Sequence, residues 1–249
     1  MAADPDSQAN LPESPERNPM TDTTLADVRR DFTRVSPEIV AQAAQYQAAI
    51  LADVAGRRGT LDRVAPVAPG MKLAGPALTV EVRAGDNLMI HAAMAMAKPG
   101  DVLVVDGKGD TSCALMGALM INACKAMALG GIVIDGAVRD TEELRELGFP
   151  VFAVAANPNG PTKYIPGRIN WPISAGGVAV SPGDLVVGDA DGVVVVEREK
   201  AASLLPLAAK KVADEARRMD DIRANRALKP GWLDAALRAA GVLKEGESL

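Results

Sequence analysis

The chain has 249 residues, 48% hydrophobic but only 3% aromatic, and its 27 basic and 32 acidic side chains leave a formal net charge of -5. That length can bury a true core, in one large domain or two small ones, built from Val, Ile, Leu, Ala and Met. The mild acidity argues against a nucleic-acid-binding surface, which needs a basic excess.

Met1 to Pro19 is polar and rich in Pro, Asp, Glu and Ser. It has neither the charged start nor the apolar stretch of a secretory signal, so residues 1–22 are expected to form a disordered leader, with Met20 an alternative start. No run reaches the roughly 18 apolar residues that a membrane span needs. The default compartment is the cytoplasm.

Ser36-Pro37-Glu38 is a helix-start signal, a capping Ser followed by Pro at the first helical position. Ile39, Val40, Ala43, Ile50, Leu51 and Val54 follow at roughly helical spacing, which predicts one helix ended by Gly56 and Gly59. Leu78 to Val82 reads as a strand and Leu88 to Ala97 as a short helix. Val102 to Asp106 is a continuous apolar run suited to a strand buried on both faces. A loop, Gly107 to Ser112, and a helix from about Ala114 to Leu129 are expected next.

Ile132 to Asp135 is the following buried strand, then come a loop over Gly136 to Asp140, a helix over Thr141 to Leu147 and a strand over Phe149 to Val154. This alternation is the rhythm of right-handed α/β crossovers. After Asn157 short apolar runs joined by Gly/Pro turns predict a β-rich second half. Arg198 to Arg226 reads as a long helix with Leu205, Val212 and Met219 at heptad spacing, and Trp232 and Leu233 open a last short helix.

Chemistry is expected outside the carboxyl ends of the parallel strands, where loops meet helix starts. Two loops qualify, Asp106 to Gly117 and Gly136 to Asp140. Arg139-Asp140 can hold a metal by its carboxylate and an enolate or carboxylate by its guanidinium. The alternative is an Asp capping the Thr141 helix, with Arg139 on the surface. Gly117 lets a backbone approach a ligand, and the amides after it can hold a carboxylate; the alternative is a Gly needed for close packing. His91 is the single histidine, and Cys113 and Cys124 have neither CxxC spacing nor a nearby His. A zinc site is therefore not expected, and any metal must be hard and oxygen-liganded, Mg²⁺ or Mn²⁺. Both cysteines read as small core residues.

Gly85-Asp86-Asn87-Leu88, Pro99 to Asp106, Gly117-Ala118-Leu119-Met120, Gly131 to Asp140 and Pro182-Gly183-Asp184 to Val194 resemble, in order and spacing, the RraA-like family. That family includes 4-hydroxy-4-methyl-2-oxoglutarate aldolases and RraA regulators of ribonuclease E. The resemblance runs from about Ile39 to Val196. It implies an α/β fold, a layered α/β/β/α swivelling-domain sandwich, here over 23–197; the C-terminal helical extension over 198–249 lies outside the resemblance. It also implies homotrimers or hexamers with sites between subunits.

By the same resemblance the activity is a metal-dependent lyase. It would cleave or decarboxylate small 2-oxo acids through a pyruvate enolate. Asp140 would bind the divalent metal, Arg139 would be catalytic and bind substrate, and Gly117, Ala118, Leu119 and Met120 would line the substrate carboxylate. One position departs from the pattern. The aldolases carry an acid directly after this Gly, and here it is Ala118, which can do no acid–base work. RraA regulators tend to lack the Asp of the Arg-Asp pair, which this chain keeps.

Overall fold

A computed structural model describes residues 28–224, 226 and 228–249. The expected leader over 1–22 lies outside the described residues. In chain order the elements are α1 (Pro37–Ala43), α2 (Ala48–Val54), β1 (Ala65–Pro66), β2 (Leu73–Glu81), α3 (Leu88–Met94), β3 (Val102–Met116), α4 (Ala118–Ala126), β4 (Gly131–Val138) and α5 (Thr141–Leu147). They continue with β5 (Val151–Ala156), β6 (Arg168–Ile169), β7 (Ile173–Ala175), β8 (Val178–Val180), β9 (Leu185–Asp189), β10 (Gly192–Val196), α6 (Arg198–Arg223) and α7 (Leu233–Ala239).

The strands β2, β3, β4 and β5 pair in parallel, and β2 also pairs antiparallel with β9, which pairs with β10. β2 belongs to both sheets. Leu73 to Pro76 pair with β9 and Ala77 to Glu81 with β3. The layering is legible in the alternation of β9 and β10. Val186, Val193 and Val195 face the parallel sheet in the main core. Leu185, Val187, Val194 and Val196 face a second core with residues of α1, α2 and α6. This is the expected layered α/β/β/α sandwich with a C-terminal helix.

Several stretches differ from the sequence reading, among them the loop expected over Gly136 to Asp140, whose first three residues continue β4 to Val138. The helix expected through Ile39 to Val54 is two, because Gln47 is extended and the Ala48 amide donates to Asp189 Oδ2 at 2.9 Å. The helix expected from Ala114 begins only at Ala118. Cys113 to Met116 are buried strand, and the supposed loop Gly107 to Ser112 is part of β3, which keeps pairing with β4 across three register shifts between Asp106 and Met116. A short apolar run carries no periodicity that separates strand from helix. The apolar stripe of α6, which by sequence could pack on the domain or on a neighbouring subunit, packs on the domain only at its start. Leu205 and Ala208 are buried, whereas Val212 and Met219 are 42% and 47% exposed. Farther along, Lys211 pairs with Asp53 of α2 at 2.8 Å.

Cys113 and Cys124 are both buried and free, and burial pushes the Cys124 thiol up to about 12. No helix among the described residues is long and apolar enough to cross a membrane.

The segment before α1 is pinned by Arg34, whose guanidinium donates to both oxygens of buried Asp101 at 2.6 and 2.8 Å. Asp101 also accepts from the Lys98 amide, closing the turn before β3. Removing one partner strands a buried charge. Arg34→Ala is therefore expected to destabilise the fold by about 3 kcal/mol. A urea-unfolding midpoint within error of the wild type would contradict this.

Candidate active site

The Arg139-Asp140 pair leaves the carboxyl end of β4, the edge of a parallel sheet at which α/β proteins generally bind ligands. The Arg139 amide donates to Met116 O at 3.0 Å, so the pair is held beside the end of β3. Asp140 sits in the left-handed region, φ 62°, which non-glycine residues seldom occupy and which clusters at functional sites. It precedes α5, yet its side chain does not cap that helix. Instead Asp140 Oδ2 accepts from the Ala118 amide at 2.9 Å, at the start of the neighbouring helix α4. Reading Asp140 as the cap of the Thr141 helix is thereby corrected: the carboxylate is turned across the strand ends to α4.

Gly117 is what lets the pair lie there. A Cβ at Gly117 would collide with Asp140 Oδ2 and would stand 2.9 Å from Arg139 Cγ and 3.0 Å from Arg139 Nε. On the other side Gly160 lies against the guanidinium, since its Cβ would be 2.9 Å from Nη1. The arginine is thus clamped between two glycines, with Nε 3.7 Å from Asp140 Oδ2. Both side chains remain open to solvent, at 43% and 36% exposure. They line a cleft with Thr141, Ala156, Asn157 and Pro158.

The structure brings Gly117, Ala118, Leu119, Met120, Arg139 and Asp140 to one place. α4 begins with no side-chain cap on its own N-cap residue. Among the described residues no acceptor faces the Leu119 and Met120 amides. These are the orphan donors that make a helix start attractive to an anion. Leu119 projects outward, 89% exposed, while Ala118 is buried in the main core. Asp110 is not in the cleft lining; its carboxylate accepts from Ser112 N at 3.1 Å and Ser112 Oγ at 2.9 Å. His91 lies on the exposed side of α3, its pKa lowered by desolvation and by the charge of Lys163.

Sequence reasoning missed two contributors. The turn Asn157 to Gly160 forms the far wall of the cleft, with Asn157 Nδ2 donating to Thr111 O at 2.8 Å. Its turn-forming residues after the end of β5 were the available signal. Asn87 lies under the first turn of α4. Its Nδ2 is 2.9 Å from Leu115 O and 3.3 Å from Met120 Sδ, and its buried Oδ1 has no partner.

For a metal, the side-chain donor set is small. Among the described residues no group of three or more His, Cys, Asp or Glu could form a cage. Asp140 offers one carboxylate with an oxygen not used by Ala118, and it opens on water. That suits Mg²⁺ or Mn²⁺, which keep several waters and take one or two carboxylates with substrate oxygens. It does not suit zinc.

A family model for RraA-like proteins, described as Aldolase/RraA, matches residues 24–195. The chain belongs to the RraA-like family. A Halalkalibacterium halodurans protein named "Putative 4-hydroxy-4-methyl-2-oxoglutarate aldolase" is 42% identical over 168 residues, spanning 66% of this chain and 80% of that one. Among solved structures, a Streptomyces coelicolor protein described as an unusual member of the RNase ES inhibitor RraA family aligns with a TM-score of 0.68 at 32% identity. It covers 76% of this RraA-like chain and 100% of its own. An uncharacterized Pseudomonas syringae protein aligns with a TM-score of 0.71 at 25% identity, covering 78% and 92%. The RraA-like family thus includes relatives named for catalysis and relatives named for inhibition.

Proposed function

We propose that this RraA-like protein is a divalent-metal-dependent lyase that cleaves or decarboxylates small 2-oxo acids to release pyruvate. The observation that carries the reading is the Arg139-Asp140 pair, clamped by Gly117 and Gly160 and open to a cleft at the strand ends. Asp140 holds Mg²⁺ or Mn²⁺ when the ion is bound, and the ion supplies a Lewis acid for the 2-oxo group. Arg139 donates to the same oxygen and stabilises the negative charge that grows there as the enolate forms. The free Leu119 and Met120 amides hold the substrate carboxylate, and the backbone of Gly117 and Ala118 shapes that wall.

Ala118 divides the two reactions. Retro-aldol cleavage must take a proton from the 4-hydroxyl, whereas oxaloacetate decarboxylation starts from an ionised carboxylate. General acid–base help is worth roughly 10²–10⁴ in rate. We therefore expect metal-dependent pyruvate release from oxaloacetate to outpace release from 4-hydroxy-2-oxo acids. Ala118→Asp is expected to raise cleavage more than decarboxylation. Equal gains on both reactions would put the proton step on another group, and no metal-dependent pyruvate release from any of these acids would end the lyase reading. Because Ala118 is buried, a melting curve accompanies the variant.

The alternative is an RraA-type regulatory protein without catalysis, and the structural likeness to an inhibitor-family member favours it. The retained Asp140 and the net acidity weigh against that role. The lyase is expected to work as a homotrimer or hexamer in the cytoplasm, without nucleic-acid or membrane partners. Light scattering that gives only monomer at micromolar concentration would contradict the assembly.

A further inference from the structure

We propose that Asn159-Gly160 is a self-modification site whose conversion to aspartate or isoaspartate places a negative charge beside Arg139 and disables the cleft. Asn159 is the one asparagine in the chain followed by glycine. Both residues are exposed to water and hydroxide. With no Cβ, Gly160 has no side chain of its own to shield its amide nitrogen from the Asn159 side chain. Among the described residues that amide has no acceptor. The Asn159 side chain is tethered only by Nδ2 to Ser112 O at 3.4 Å, longer than an ordinary hydrogen bond.

The chemistry balances without any co-reactant but water. The Gly160 amide loses its proton to hydroxide, and its nitrogen attacks Asn159 Cγ. The Cγ–Nδ2 bond breaks and ammonia leaves, giving a succinimide. Water then opens either carbonyl. One water is consumed and one ammonia released, and a carboxylate replaces a neutral amide. Asn157, in the same turn, is an internal control. Pro158 follows it, and a proline nitrogen carries no proton to lose.

The location gives the reaction its consequence. Gly160 lies against Arg139 Nη1, so the new charge forms one residue from the guanidinium. The isoaspartyl product also lengthens the main chain by a carbon at a residue whose carbonyl now accepts from Ala114 N at 2.8 Å. A fixed carboxylate there competes with an anionic substrate for Arg139. Only this last step rests on the lyase reading.

The test is to hold the folded wild-type protein at alkaline pH and map its peptides by mass spectrometry. Arg139 labelling by phenylglyoxal and pyruvate release are followed in parallel. Asn159 should convert before any other asparagine, with Asn157 unchanged, and both labelling and turnover should fall in proportion to conversion. Asn159→Gln, which would need a larger ring, should show no time-dependent loss of either, each measured against that variant's own starting value. Two results would overturn the proposal. One is an unconverted Asn159 in folded protein when the urea-unfolded chain converts. The other is conversion that leaves Arg139 labelling unchanged. Mass and labelling need no turnover, so a protein that never released pyruvate would fail the lyase reading and still decide this one.

Discussion

Arg139→Ala is expected to lower kcat/KM for metal-dependent pyruvate release by about two to three orders of magnitude, the cost typical of removing one preorganised donor to a developing oxyanion. The fold should tolerate the change, since the side chain is 43% exposed and its ion pair with Asp140 is half open to water. Arg139→Lys separates charge from shape. A lysine keeps the positive charge but loses the planar fork that fits between Gly117 and Gly160, so it should recover only part of the loss. Steady-state rates with oxaloacetate and a 4-hydroxy-2-oxo acid check this directly. Wild-type rates in Arg139→Ala would remove the residue from the mechanism.

The second large effect is expected at a residue with no functional group. Gly117→Ala puts a methyl where Asp140 Oδ2 and the Arg139 stem now lie, and it leaves neither side chain a place to stay. Asp140 would be pushed off the Ala118 amide and Arg139 out of its clamp. We expect Mn²⁺ binding by titration calorimetry to weaken and kcat/KM to fall by about two orders of magnitude, as for a misplaced catalytic group. Overpacking should cost about 1–3 kcal/mol of stability. Unchanged Mn²⁺ affinity together with unchanged turnover would mean that the pair need not lie against Gly117 to work.

The parallel strands were legible in the sequence because Val102 to Asp106 and Ile132 to Asp135 are continuous apolar runs, and such runs belong to strands covered on both faces. The start of the first helix was legible in Ser36-Pro37, and Ser36 Oγ does accept from the Ile39 amide. The path of residues 107–117 was not. Its Gly, Lys, Asp and Ser content reads as loop, and Lys108 and Gly109 do take left-handed φ, 63° and 67°, yet the strand keeps pairing with β4 across three register shifts. Residues Ile39 to Val54 hold a helical period across a break that depends on Asp189, 141 positions from its partner Ala48. Periodicity cannot register a contact so remote.

The candidate site was visible as a list of residues but not as an arrangement. Nothing in Gly-Ala-Leu-Met announces that its glycine is the floor under an Arg-Asp pair from the next strand. The residues from Asn157 to Gly160 announce a turn, but that Gly160 lies against Arg139 could not be read, because the turn follows β5 and meets the site only in three dimensions.

The double membership of β2 has a consequence for how the molecule comes apart. Leu73 to Pro76 and Ala77 to Glu81 are consecutive stretches of one backbone, yet each stretch holds a different sheet. Peeling away the β9–β10 hairpin exposes half of a strand whose other half anchors β3, and loosening β3 strips the support from the hairpin. The two layers therefore share one cooperative unit and do not open as independent foldons. The amide protons of β2 are therefore expected to be the last to exchange with solvent, and β4, which leads into Arg139 and Asp140, lies two strands away on the same sheet.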